Sequence, residues 1–283
     1  MRAGLRKLHV RQQTDRDGVS SENSKRSRPA VKKPHIDQSL ANRLLALLRP
    51  TERSRLLSVA EWVELESQQV LGRAGERLSH VYFPTNSMIS LLSNLEGARH
   101  FEAGQIGFEG MLGASAGLGV TASAFDAVVS GAGQAWRIQL DAWRSHCLAS
   151  RTLSLLTTRY LYVELSQMGT MVACGHFHSL EQRLARFLLM SETRLRTPDI
   201  QMTHETLAHL LGVRRAGVTL AAGKLQESGV IQYTRGHILV LDREALLAQS
   251  CGCFDQDLET YERVMSGAVS YTHLRAHETS LHL

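Results

Sequence analysis

The spacing of apolar side chains changes period twice along the chain. From Ser39 onward, Leu40, Leu44, Leu47 and Leu48 share one helical face, and Pro50 is expected to end that short helix. Between Trp62 and Ile138 the apolar stretches become short and rich in Val, Leu, Ile and aromatics. They are 61–65, 70–71, 80–83, 88–92, 127–129 and 135–138. Turn-forming groups such as Arg73-Ala74-Gly75-Glu76 and Glu96-Gly97 separate them, the pattern of a small antiparallel β-roll or barrel. After Asp141 the period lengthens to that of a helix. Leu153, Leu156, Tyr160, Val163, Gln167, Thr170 and Cys174 recur at steps of three and four over about six turns. A stripe this narrow on a long helix between two domains predicts pairing with its twin in a homodimer. The other reading is a helix packed on its own β-roll.

Ser179-Leu180-Glu181-Gln182 has the form of a capping box, opening a helix with Leu184, Phe187, Leu188 and Met190 on its buried side. Pro198 closes the connection, and residues 199–248 read helix, turn, helix, then a hairpin about Arg235-Gly236. Two short helices pack near a right angle only where the contact is small, the turn admits a left-handed residue and the second helix offers an apolar wedge. Ala208, Gly212 and Val218 fill these three roles, with Leu207, Leu211, Val213 and Ala221 at the other inward positions. The segment is therefore a helix-turn-helix. Its second helix would present Arg214, Arg215, Gly217 and Thr219 to the major groove, where Arg215 is suited to O6 and N7 of guanine. Thr203, as N-cap of the first helix, and Lys224 are candidates for phosphate contacts. The hairpin Ile231–Asp242 reads as the wing, with Arg235 and His237 at its tip.

Charge refines this picture. Residues 1–35 hold ten basic side chains against three acids, a net of +7, which leaves −2 for the rest of the chain. The basic excess lies in an arm too poor in large apolar groups to fold by itself, which could add sequence-independent attraction for DNA. The folded part is not basic. The domain plan is thus the arm 1–35, a β-roll 36–148, a dimerisation helix 149–178, a winged helix-turn-helix 179–250 and a tail 251–283. Within the tail, 266–283 resembles appended vector sequence and is set aside from the fold. No apolar run is long enough for a membrane span, and no apolar stretch follows the basic N-terminus, so a cytoplasmic protein without membrane partners is expected. The four cysteines, Cys147, Cys174, Cys251 and Cys253, read as reduced thiols. Cys251-Gly-Cys253 lacks a second pair at zinc-ribbon spacing, and Cys174-Gly-His176-Phe-His178 is assigned to packing and capping, so neither metal nor cofactor is predicted.

The order β-roll, long helix, winged helix-turn-helix resembles the bacterial Crp/Fnr family of transcription regulators over about residues 39–250. Three stretches carry the resemblance. They are Asn42-Arg-Leu-Leu-Ala-Leu-Leu, His80-Val-Tyr-Phe-Pro with Gly107-Phe-Glu-Gly-Met-Leu-Gly113, and Thr203–Val218 with Arg235-Gly-His-Ile-Leu-Val-Leu-Asp-Arg243. The resemblance implies an α+β chain with a cyclic-nucleotide-binding-like roll. It also implies a homodimer that reads two DNA half-sites about 34 Å apart; an activator would in addition need a surface for RNA polymerase, which no residue here marks. Where the family's recognition helix usually reads Arg-Glu-Thr-Val, this one reads Arg215-Ala216-Gly217-Val218, so the operator should differ. Glu109, Gly110, Phe125 and Asp126 align with the family's ligand pocket. No Arg or Lys lies between Arg99 and Arg137, and Asp126 would repel a phosphate, so the signal sensed is not cyclic AMP or cyclic GMP. No cysteine precedes Cys147, which removes the family's N-terminal iron–sulfur ligands, and haem has no support.

Two other classes are weaker. A cupin-like enzyme needs a His-x-His pair in its barrel, whereas residues 60–140 hold only His80 and His100, unpaired, so no catalytic residue is assigned. A protein-interaction module with a degenerate helix-turn-helix would have no use for Arg215.

Overall fold

The computed structural model describes residues 40–95 and 99–270. The basic arm, the Glu96-Gly97 turn and the end of the chain lie outside the described residues.

Asn42 caps the first helix, α1 (Arg43–Ala46), by accepting a hydrogen bond from the Leu45 amide. Its buried amide group also donates to the Pro84 and Gly110 carbonyls, at 2.9 Å each, tying the helix to the roll. Pro50 does not end this helix. It occupies the first turn of the next one, α2 (Pro50–Leu57), where its missing N–H costs nothing.

Seven antiparallel strands follow: β1 (Ala60–Leu65), β2 (Val70–Gly72), β3 (His80–Pro84), β4 (Met88–Leu95), β5 (Arg99–Ile106), β6 (Asp126–Gly131) and β7 (Gly133–Gln139). They form two sheets, ordered β1-β7-β3 and β2-β6-β4-β5. All six apolar stretches read from the sequence lie in strands. β5 is missed by that reading because polar residues, among them Glu102 and Gln105, alternate with its apolar ones. Alternation along β3 sends Tyr82 between the sheets with Ile89, Leu91, Ile106 and Val129. Val81 and Phe83 face the other way, into a second core under α1, where Phe83 meets Trp143 edge-on at 5.4 Å. Trp143 belongs to α3 (Leu140–Ala149).

The long helix is α4 (Arg151–Phe177), capped at its start by Ser150. Its predicted dimer stripe faces its own chain. Leu153, Leu156, Tyr160 and Val163 enter the core under α1, Thr170 and Cys174 are buried, and the Gln167 amide lies 3.4 Å from Arg194. Leu153 and Leu156 pack on the roll and α1, as the other reading has it, and a helix absent from the sequence reading also lies along α4. Residues assigned to a tail form α9 (Cys253–Ser270), which packs along α4 and buries Phe254, Asp257, Tyr261 and Met265 at helical spacing. Residues 266–270, set aside as extraneous, continue that helix.

The capping box forms as read and opens α5 (Leu180–Leu195). Then come β8 (Asp199–Gln201), α6 (His204–Leu211), α7 (Arg215–Glu227), β9 (Ile231–Thr234), β10 (His237–Val240) and α8 (Arg243–Gln249), with the short sheet ordered β8-β10-β9. Leu184, Leu188, Ile200, Leu207, Val218, Leu225 and Ile238, each almost fully buried, form the core of this unit.

Candidate nucleic-acid interface

Thr203 adopts the cap position of α6 and accepts from the Thr206 amide at 3.1 Å. Gly212, with φ +65°, ends α6 in the left-handed conformation that the turn demands. Val218 is fully buried, as a wedge should be. Arg214 then takes the N-cap of α7 without a side-chain bond of its own. The outward face of α7 is a row one turn apart: Arg215 and Ala216, then Thr219 and Leu220, then Lys224.

Arg215 is 70% exposed at the very start of α7, held only loosely by Glu205 at 3.8 Å. Glu205, in the first turn of α6, also lies 3.7 Å from His209. Gly217 points elsewhere. A Cβ there would stand 3.0 Å from Leu180 of α5, which gives the glycine a packing reason rather than a base-reading one. Lys224 is paired with Glu181, whose carboxyl is held down to about 2 chiefly by that lysine. At the wing tip Arg235 (φ +38°) and Gly236 (φ +90°) form a tight two-residue turn with both positions left-handed. An arginine accepts such a backbone reluctantly, and here it is projected beyond the sheet. His237 faces Asp199 of β8 at 3.3 Å.

Two residues missed in the sequence complete the surface. Leu220 is 70% exposed on the outward face of α7, where an apolar side chain suits a thymine methyl. His204 stacks on Tyr233 of the wing, with ring centroids 4.0 Å apart, and its Nδ1 lies 3.1 Å from the Thr219 hydroxyl. Burial and then Arg215 lower its pKa, which favours the neutral ring that joins α6, α7 and the wing. No single-residue motif marks such a role.

The expected ligand pocket is dispersed. Glu109 accepts from Arg194 Nε at 2.7 Å and from the Gly107 amide at 3.2 Å, while a Cβ on Gly110 would fall 1.9 Å from the Tyr160 hydroxyl. These two residues hold the roll to α4 and α5. Asp126 accepts from the Ala74 amide at 2.8 Å. Phe125 instead lines a cavity of about 530 Å³ where β5, α4, α5 and the end of α6 meet. Glu102, in its wall, is fully buried, accepts from Ser90 and Gln105, and is pushed up to about 7 by burial. The cysteines are also regrouped. Cys174 and His178 at the end of α4 meet Cys251 and Cys253 before α9, with all four ligating atoms within 4.8 Å of one another.

The family model for the Crp-like helix-turn-helix domain matches residues 182–249. Among solved structures the chain is similar to a protein described as a transcriptional regulator of the crp/fnr family from Eubacterium rectale. The two are 18% identical with a TM-score of 0.57, over 74% of this chain and 98% of that one. The chain has the Crp/Fnr fold, with a Crp-like helix-turn-helix domain. The chain is also similar to FixK2 from Bradyrhizobium japonicum, at 14% identity and a TM-score of 0.57, covering 68% and 98% of the two chains. A transcriptional regulator of the CRP family from Thermus thermophilus gives 17%, 0.54, 66% and 96%. A comparison with curated proteins finds no match. Among the described residues of this Crp/Fnr-type chain, no helix is long and apolar enough to cross a membrane.

Proposed function

We propose that the protein is a transcription regulator that binds double-stranded DNA as a homodimer, placing α7 of each protomer in the major groove. The observation that carries this is Arg215, exposed at the N-terminal end of α7 and held only by the 3.8 Å contact to Glu205, on a helix whose outward face also exposes Thr219 and Leu220. Thr203, Arg214 and the wing residue Arg235 would reach phosphates, and Lys224 would do so on exchanging Glu181 for DNA. The β-roll is the sensing domain, and RNA polymerase is the partner expected of an activator.

The dimer seam differs from the stripe the sequence suggests. Leu155, Thr158, Tyr162, Leu165, Gly169, Val172 and His176 are all exposed, and they repeat at alternating steps of three and four. Leu165 at 68%, Val172 at 61% and Tyr162 at 56% expose apolar surface that a second α4 would cover in coiled-coil fashion.

The test is selection of bound fragments from a genomic library at about 0.15 M salt, in parallel for the wild type and Arg215→Ala. A palindromic site enriched by the wild type and lost in the variant supports the reading. Weak, equal and steeply salt-dependent binding by both would overturn it, leaving only the arm in contact with DNA.

A further inference from the structure

The regrouped cysteines form a built site that the DNA-binding role does not use. Cys174 and His178 stand one turn apart at the end of α4, and Cys251-Gly-Cys253 forms the corner between α8 and α9. Their side chains converge: Cys174 Sγ lies 3.5 Å from Cys251 Sγ, and Cys253 Sγ lies 3.6 Å from His178 Nδ1. The three thiols are buried, and His178 is half-buried.

We propose that Cys174, His178, Cys251 and Cys253 bind one zinc ion. Tetrahedral zinc, at about 2.3 Å from sulfur and about 2.0 Å from nitrogen, sets its ligands roughly 3.5–3.8 Å apart, and the S···S and S···N distances here match that edge length. Four donors within 4.8 Å enclose a single ion and leave no room for the wider thiolate spacing of an iron–sulfur cluster. A disulfide needs sulfurs about 2.05 Å apart and would use only two of the four groups. Zinc with three thiolates carries one net negative charge, and the buried Arg186–Asp257 pair stands beside it. The buried Arg186 guanidinium lies close enough to Cys174 and Cys251 to feel their charge, and its Nε–H has no acceptor within hydrogen-bonding distance. Binding releases one proton from each thiol to solvent, and no redox step is involved.

The position gives the ion a task. It joins the last turn of α4, the hinge before α5 and the chain leaving the winged domain, which fixes the angle between the long helix and the DNA-binding unit. All four ligands come from one chain, and none of them is on α7.

Full-length protein, purified with reductant and without chelator, should carry about one zinc per chain by mass spectrometry of its metals, with little iron. Cobalt added to the apoprotein should give a thiolate-to-metal charge-transfer band and the visible bands of a tetrahedral site. Cys174→Ser and Cys253→Ser should each lose most of the metal. Cys147→Ser, which removes a buried thiol in α3 outside the cluster, should keep it. Chelation of the wild type should lower its Tm and speed proteolysis at the 178–179 junction. Substoichiometric metal with no cobalt bands in folded wild-type protein, iron with inorganic sulfide, a Cys174–Cys251 disulfide, or equal loss in Cys147→Ser would each overturn the proposal.

Discussion

Two buried side chains on the walls of the central cavity show how single residues set the properties of the chain. Arg194 is almost fully buried and bonds Glu109 Oε1 and Gln105 Oε1, both at 2.7 Å. Arg194→Ala would leave Glu109 without its cation in a largely buried interface, which should cost about 3 kcal/mol. Urea denaturation measures this, and pairing the change with Glu109→Gln should restore part of the loss. Glu102 answers to pH instead. Burial raises its folded value from 4.5 to about 7, even though hydrogen bonds from Ser90 and Gln105 and the charges of Arg194 and Arg186 pull it down. The folded chain therefore holds this proton more tightly than the unfolded chain does. Its contribution is complete below the unfolded value and is lost as pH rises through about 7, to an extent of up to roughly 3 kcal/mol. In urea melts across this range Glu102→Gln should flatten the fall. A wild-type curve that does not decline with rising pH would refute the argument.

At the scale of elements the decisive piece is α9. Together with the roll and α1 it consumes the inner stripe of α4 within the chain, which leaves Leu155, Tyr162, Leu165 and Val172 as the exposed apolar face for the proposed dimer. Leu165→Glu should convert a dimer to a monomer in sedimentation velocity with little change in Tm. Leu156→Ala, inside the core, should lower stability by about 2–5 kcal/mol and leave the dimer in place. The opposite pattern would return the dimer to the inner stripe. This also marks where reading from sequence works. The strands, the capping box and the helix-turn-helix depend on local spacing, and Ser179, Gly212 and Val218 each take up the role their neighbours imply. The orientation of α4 depends on what packs against it, and Phe254, Tyr261 and Met265 are too far away in sequence to signal that. The four-ligand cluster is hidden for the same reason, since Cys174 and Cys251 lie 77 positions apart. The loop residues Glu109 and Gly110 show the same limit, since their neighbours Arg194 and Tyr160 are also remote in sequence.

For the whole molecule, the contacts between the roll and the winged unit decide which ligands the cavity between them can take. The cations near the cavity are already committed: Arg194 to Glu109, Arg186 to Asp257, and Arg183 to the Leu211 carbonyl at 2.6 Å. The loop at 107–110 is held against α4 and α5, and Asp126 adds a carboxylate to the roll. A cyclic nucleotide would have to break one of these buried pairs to neutralise its phosphodiester, and breaking such a pair costs more than one phosphate contact returns. Isothermal titration should therefore show cyclic AMP and cyclic GMP binding more weakly than about micromolar. The same joint predicts cooperativity. Asp257→Ala leaves Arg186 buried without its partner and loosens α9 from α5, so calorimetry should show one transition for the wild type and two for the variant, with the winged unit melting first. A variant that still melts in one step at the wild-type temperature would mean that the two halves are held together by their apolar contacts and that the buried ion pair is dispensable.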